Sequence, residues 1–214
     1  MENKQRISRI LQALRKEYPC AKTPLLHKDP LQLLIATILS AQCTDERVNK
    51  VTPPLFAKYK NARDFAVAKP AELEDLIRST GFYKAKAKNI IGCCKGLVGK
   101  HKGEVPASLE ALVELPGVGR KTANVVLGEI WDIPGVVVDT HVKRLTFRMG
   151  LTKNTDPEKI ERDIMNLLAE KDWNDFSVCL IFHGRRVCFA RKPLCGGCKI
   201  ADLCPKFGIK RGIK

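Results

Sequence analysis

Long apolar runs are missing from this chain: no stretch approaches the ~18 consecutive apolar residues of a membrane-spanning helix. Strand-like runs are almost as scarce. Val136-Val137-Val138 stands alone, too short and too isolated to build a sheet, so the class expected is all-α. No internal repeat, low-complexity tract or flexible linker interrupts the pattern. Acidic residues are few: 23 Asp and Glu stand against 38 Lys and Arg, a formal charge of +15 and a pI near 9.5. That surplus points to a polyanionic partner, nucleic acid before an anionic membrane surface. The opening residues, Met1-Glu2-Asn3-Lys4-Gln5-Arg6, start no signal-peptide core. A bacterial or archaeal cytoplasmic setting is the expectation.

What is present is an ordinary globular balance, 44% apolar and 29% charged over 214 residues. It excludes a wholly disordered chain and suits one large domain or two modest ones. Helical spacing recurs. Ile7, Ile10, Leu11 and Leu14 precede Pro19. Asp29-Pro30 caps and starts a helix carrying Leu31, Leu34, Ile35, Ile38 and Leu39 on one face. Pro70 opens another, with Gly81 at its end. Further helices are expected over Lys86–Val98, Pro106–Val113, Arg120–Trp131, Thr140–Met149 (ended by Gly150), from Asp156-Pro157, and over Asn174–Val187. Asp132-Ile133-Pro134-Gly135 is the best interior boundary.

Nine cysteines are many for this length. Their odd number, without a secretory signal, argues for a reducing compartment. Cys20, Cys43, Cys93, Cys94 and Cys179 are scattered. Cys188, Cys195, Cys198 and Cys204 crowd into seventeen residues. Zinc sites usually pair their cysteines closely, whereas spaced singles suit an iron–sulfur cluster; spacing favours the cluster and leaves zinc open. Arg191 and Lys192 sit between the first two cysteines, as phosphate grippers or as part of a solvated basic tail.

Leu115-Pro116-Gly117-Val118-Gly119-Arg120-Lys121-Thr122-Ala123 lies between two helices. Gly117 and Gly119 permit positive φ and close backbone approach. The helix N-terminus that follows favours an anion. The alternative is an ordinary helix–turn–helix corner. Lys121 sits in the first turn of the second helix. A neighbouring cation and the positive helix end both act against its charged form, as partial burial would, and a free amine is a nucleophile. A solvated lysine is the plainer reading. Asp139, after the valine run, reads as the N-cap of the helix from Thr140, and a carboxylate there can also take a proton from a lysine.

Taken together these residues resemble the endonuclease III family of DNA repair glycosylases. The glycine turn resembles its helix–hairpin–helix, Val138-Asp139-Thr140-His141 its catalytic aspartate motif, and the four cysteines its 4Fe-4S loop. Leu39-Ser40-Ala41-Gln42 with Thr44-Asp45, Gly81-Phe82-Tyr83 and His183-Gly184-Arg185 also match, over roughly residues 7 to 206. The resemblance implies an all-α fold of two helical domains with a DNA-binding cleft between them. Residues 23–133 would form a helical barrel with the hairpin; 1–22 plus 134–214 would carry the cluster.

It also implies removal of oxidised pyrimidines from duplex DNA and strand cleavage at the abasic site. The partner would be duplex DNA with damaged bases or abasic sites, bound by a monomer. Lys121 and Asp139 would be catalytic. Cys188, Cys195, Cys198 and Cys204 would hold a 4Fe-4S cluster. Gln42 and Phe82 would fill the duplex where the nucleotide leaves, Phe82 standing where leucine is commoner. Gly117, Gly119, Arg120, Arg191 and Lys192 would hold phosphates. Ser40, Thr44, Asp45 and His141 would frame the lesion. Two other readings remain. A monofunctional mismatch adenine glycosylase would lack a lysine at position 121 and usually carry a further C-terminal domain. A non-enzymatic DNA-binding or electron-transfer module would need only the charge and the cysteines.

Overall fold

A computed structural model describes residues 3–19 and 22–209. Met1, Glu2 and Cys20 lie outside the described residues. Among the described residues there are eleven α-helices and no strand. In chain order these are α1 (Asn3–Glu17), α2 (Pro30–Leu39), α3 (Asp45–Lys58), α4 (Ala62–Ala66), α5 (Pro70–Ile77) and α6 (Tyr83–His101). Then come α7 (Leu109–Val113), α8 (Arg120–Trp131), α9 (Thr140–Arg148), α10 (Pro157–Leu167) and α11 (Trp173–Arg186). The chain divides into two compact units, Thr23–Ile133 and Met1–Lys22 with Pro134–Lys214.

The unit of residues 23–133 is built on α2. The Asp29 carboxylate accepts from the Gln32 N–H at 2.8 Å and starts the helix. Every residue from Leu33 to Leu39 is buried, so α2 is apolar all round rather than on the one face its leucines and isoleucines suggest. α3 and α4 escape the periodicity argument. Pro53 and Pro54 lie inside α3, where proline normally ends a helix, and α4 is only five residues long. α6 starts three residues before the expected Lys86 and ends at Lys102, which takes a left-handed conformation. α7 begins at Leu109, not Pro106, because the Ser108 hydroxyl accepts from the Ala111 N–H.

The other unit packs α1, α9, α10 and α11 around Ile7, Ile10, Leu11, Leu14, Val142, Leu145, Phe176 and Leu180. Arg15 of α1 pairs with Asp172 and Asp175 at 2.8 and 2.7 Å. Arg6 donates to the carbonyls of Met149, Gly150 and Leu203. α1 is thereby tied to the end of α9 and to the cysteine segment. Val136-Val137-Val138 forms no strand. The Val137 N–H donates to the Ser177 hydroxyl, and the Gly135 N–H to the Asn174 side chain, each at 2.9 Å. Side chains of α11 thus do for this run what a neighbouring strand would.

Candidate functional site

In the unit of residues 23–133 the hairpin lies on α6. A Cβ at Gly96 would stand 2.8 Å from Leu115, and one at Gly92 3.1 Å from Pro116. These two helical glycines cost α6 stability and admit the hairpin. The Val118 N–H closes the turn on the Leu115 carbonyl at 3.1 Å. Gly117 has φ +77 and a Cβ there would meet Asn89 at 2.6 Å, so shape and space both require glycine. Gly119 does not use the positive φ open to glycine: its backbone is extended, at φ −86. Beyond its chain neighbours, no described atom lies within 4 Å of where its Cβ would be. It is the N-cap of α8 and supplies no side-chain acceptor. The helix therefore opens on bare backbone, the arrangement that receives an anion. Arg120 and Lys121 follow, both exposed. The partial burial considered for Lys121 is absent.

Two other turns of this unit present side chains outward from left-handed backbone. Gln42 has φ 52 and Phe82 φ 47; Phe82 is 67% exposed. Such values are costly for non-glycine residues and cluster at functional positions. Beside Gln42, the Ser40 hydroxyl donates to the Thr37 carbonyl at 2.8 Å. The Thr44 hydroxyl caps α3, which leaves Asp45 in the first turn rather than at the cap.

In the other unit Asp139 is the N-cap of α9, its Oδ1 accepting from the Val142 N–H at 2.8 Å. The capping oxygen leaves the carboxylate's second oxygen for another partner. His141, in the first turn of α9, rests on α11. A Cβ at Gly184 would lie 2.6 Å from its Nδ1, which explains the glycine of His183-Gly184-Arg185. Arg144 reaches that same Nδ1 at 3.0 Å. Burial pushes the His141 pKa below the usual imidazole value, with Asp139 acting in the opposite sense.

The four clustered cysteines line one cavity, together with Leu145, Arg148, Met149, His183 and Ile200. Among the described residues no three His, Cys, Asp or Glu side chains close on a single metal ion. Four cysteines round one cavity can serve the separate corners of a polynuclear cluster. Burial pushes the Cys198 and Cys204 thiols up, so they need a metal to hold them as thiolates. Cys93 and Cys179 elsewhere, pushed up to about 12 and about 11 by burial, are packed thiols outside any metal group.

The segment is held by side chains that periodicity alone does not single out. Arg148 donates to Cys188 Sγ at 3.2 Å and to the carbonyls of Phe189 and Ala190 at 2.7 and 2.9 Å. Arg144 donates to the Cys188 carbonyl at 3.0 Å. His183, 2% exposed, has Nε2 3.4 Å from Cys198 Sγ and Nδ1 3.1 Å from the Tyr18 hydroxyl. A thiolate at Cys198 accepts only, so Nε2 carries the proton and Tyr18 donates to Nδ1. The available signal was an arginine pair four apart in α9 and a histidine in an apolar helix. Arg191 and Lys192 are exposed between the first two cysteines, and the Leu194 N–H closes that loop on the Val187 carbonyl at 3.0 Å. No helix among the described residues is long and apolar enough to cross a membrane.

Residues 35–170 match the HhH-GPD superfamily of base excision DNA repair proteins. Residues 188–204 match the iron–sulfur binding domain of endonuclease III. The chain is 59% identical over 203 residues to an endonuclease III of Synechocystis sp., covering 94% of this chain and 93% of that one. It is 41% identical over 202 residues to endonuclease III of Escherichia coli, covering 94% and 96%. A solved structure of a trapped endonuclease III–DNA covalent intermediate superposes with a TM-score of 0.92 at 42% identity, over 96% of this chain and 97% of that one. These matches agree with the hairpin and the cysteine cavity: the chain belongs to the endonuclease III family, a base excision DNA glycosylase that removes oxidised pyrimidines, cleaves abasic sites as a lyase and carries a 4Fe-4S cluster.

Proposed function

We propose that Lys121 and Asp139 carry this chemistry, and that the hairpin, the two left-handed turns and the basic cysteine loop present duplex DNA to them. The observation that supports it most is the exposed amine of Lys121 in the first turn of an α8 that opens without a side-chain cap. The damaged nucleotide leaves the stack, since its C1′ is shielded inside the duplex. The Lys121 amine attacks C1′, the bond from C1′ to the base breaks, and the base departs. Asp139 takes the proton from the amine through the oxygen not engaged at Val142 and offsets positive charge on the sugar. Ring opening yields an imine between Nζ and C1′. The imine acidifies the adjacent C2′ proton; its loss expels the 3′ phosphate, and water returns the lysine.

The remaining roles follow position. Gly117, Gly119 and Arg120 seat a phosphate at the α8 N-terminus; Arg191 and Lys192 seat others. Gln42 and Phe82 fill the space that the flipped nucleotide vacates. Ser40, Thr44, Asp45 and His141 frame the extruded base. Cys188, Cys195, Cys198 and Cys204 hold the cluster, which when bound cross-links the loop carrying Arg191 and Lys192. Residues 23–133 act as the hairpin domain and 1–22 with 134–214 as the cluster domain. The protein works as a cytoplasmic monomer on nucleoid DNA of a bacterium or archaeon.

Product analysis on a duplex containing thymine glycol tests the assignment. The wild type should release the free base and cut the strand, and K121Q should do neither while still binding DNA. Base release without a cut by the wild type would favour the monofunctional reading. Light scattering checks the monomer, expected at one chain mass of 23.9 kDa.

A further inference from the structure

Lys86 is a group that the reaction leaves unused. It is 4% exposed in the first turn of α6. A buried ammonium forfeits hydration, and at the positive end of a helix its charge is unfavourable. Burial pushes its pKa down; the nearby Cys43 thiol acts the other way. Among the described residues it has no ion-pair partner. What it has is one hydrogen bond: Nζ donates to the Thr80 carbonyl at 2.8 Å. Thr80 is itself buried and its hydroxyl donates to the Ile77 carbonyl at 2.8 Å. It opens a turn with two successive left-handed residues, Gly81 at φ 70 and Phe82 at φ 47. Beyond its chain neighbours, no described atom lies within 4 Å of a Cβ at Gly81, so that glycine serves conformation and not space. On the outer side, Arg78 lies over the Tyr83 ring at 5.0 Å. Lys86 therefore reaches back from α6 and pins the first carbonyl of the strained turn that displays Phe82. It also feels Cys43, the neighbour of the second outward left-handed residue, Gln42.

We infer that Lys86 is a positioning residue, holding the Thr80–Phe82 turn in the shape that drives Phe82 into the duplex. The inference rests on the reading of Phe82 as the inserting side chain. Methionine at 86 keeps the stem and removes the donor and the charge; arginine restores both. The test compares wild type, K86M, K86R, F82A and the K86M/F82A double variant. The readouts are single-turnover excision from a thymine glycol duplex and fluorescence of 2-aminopurine opposite the lesion. K86M and F82A should each slow excision at least tenfold and lose the fluorescence rise. The double variant should be no worse than F82A alone, and K86R should recover most of the loss. Should K86M fail to fold, K86Q takes its place with the same expectations. Excision by K86M within twofold of wild type, or losses that multiply in the double variant, overturns the role of Lys86. Wild-type excision by F82A instead overturns the reading of Phe82, whatever K86M does.

Discussion

The hairpin and the cysteine loop are both basic, and they are held in opposite ways. The hairpin is seated on α6 by the close fit of Leu115 and Pro116 to Gly96 and Gly92, and its outer end starts a helix with no side-chain cap. The cysteine loop is fastened by polar groups from three helices: Arg6 of α1, Arg144 and Arg148 of α9, and His183 of α11. A visiting ligand needs donors left open until it arrives. A resident cofactor needs its surroundings satisfied beforehand, because unpaired polar groups in a buried shell are costly. The contrast separates a helix start left open for a ligand from a loop whose backbone is satisfied at folding.

The largest effect that sharpens this contrast belongs to Lys121. K121Q should lower strand cleavage by at least ~10³-fold without changing the melting temperature or the iron content, measured together on one preparation. On the other side, R148M leaves the carbonyls of Phe189 and Ala190 without donors. It should cost about 2–4 kcal/mol of stability and lower the iron bound per chain, read by denaturant unfolding and metal analysis. An R148M protein with full iron and unchanged stability would break the contrast.

Two hairpin glycines divide it more finely. G117A forces a side chain into Asn89 at φ +77 and should destabilise by about 1–3 kcal/mol. G119A meets nothing in the protein and should stay within ~0.5 kcal/mol of wild type. Its DNA affinity should fall about fivefold, roughly 1 kcal/mol, in a binding titration at fixed salt. Equal effects of the two on stability would contradict the assignment of Gly119 to the ligand. The smallest effect concerns pH. Burial lowers the folded pKa of His141 below its ordinary 6.5, so the unfolded chain binds a proton that the folded one refuses. The contribution is complete above pH 6.5 and is lost as pH falls through the folded value. H141Q should show a shallower fall in melting temperature than wild type below that pH.

Much of the chain was legible because local rules and tertiary packing agree there. Asp29, Asp139 and Asp156 cap α2, α9 and α10 as their sequence context implies. α8 begins and ends where the glycine turn and Trp131 place it. α3 was hidden by Pro53 and Pro54, which its tertiary contacts override. The hairpin motif announced Gly117, but only the fold shows that Gly119 faces empty space while Gly117 faces Asn89. The polar fasteners were the least legible. Arg148, His183 and Lys86 act on groups 41, 15 and 6 residues away, and no periodicity encodes which carbonyl or sulfur a long side chain will meet.

The proposed reaction turns on one bond, between the Lys121 amine and the sugar of a damaged nucleotide. Borohydride reduction during turnover of a thymine glycol duplex, followed by peptide mass mapping, tests it directly. A covalent adduct on Lys121, absent from K121Q, is expected. An adduct on another lysine, or none from a preparation that cuts the strand, would contradict it.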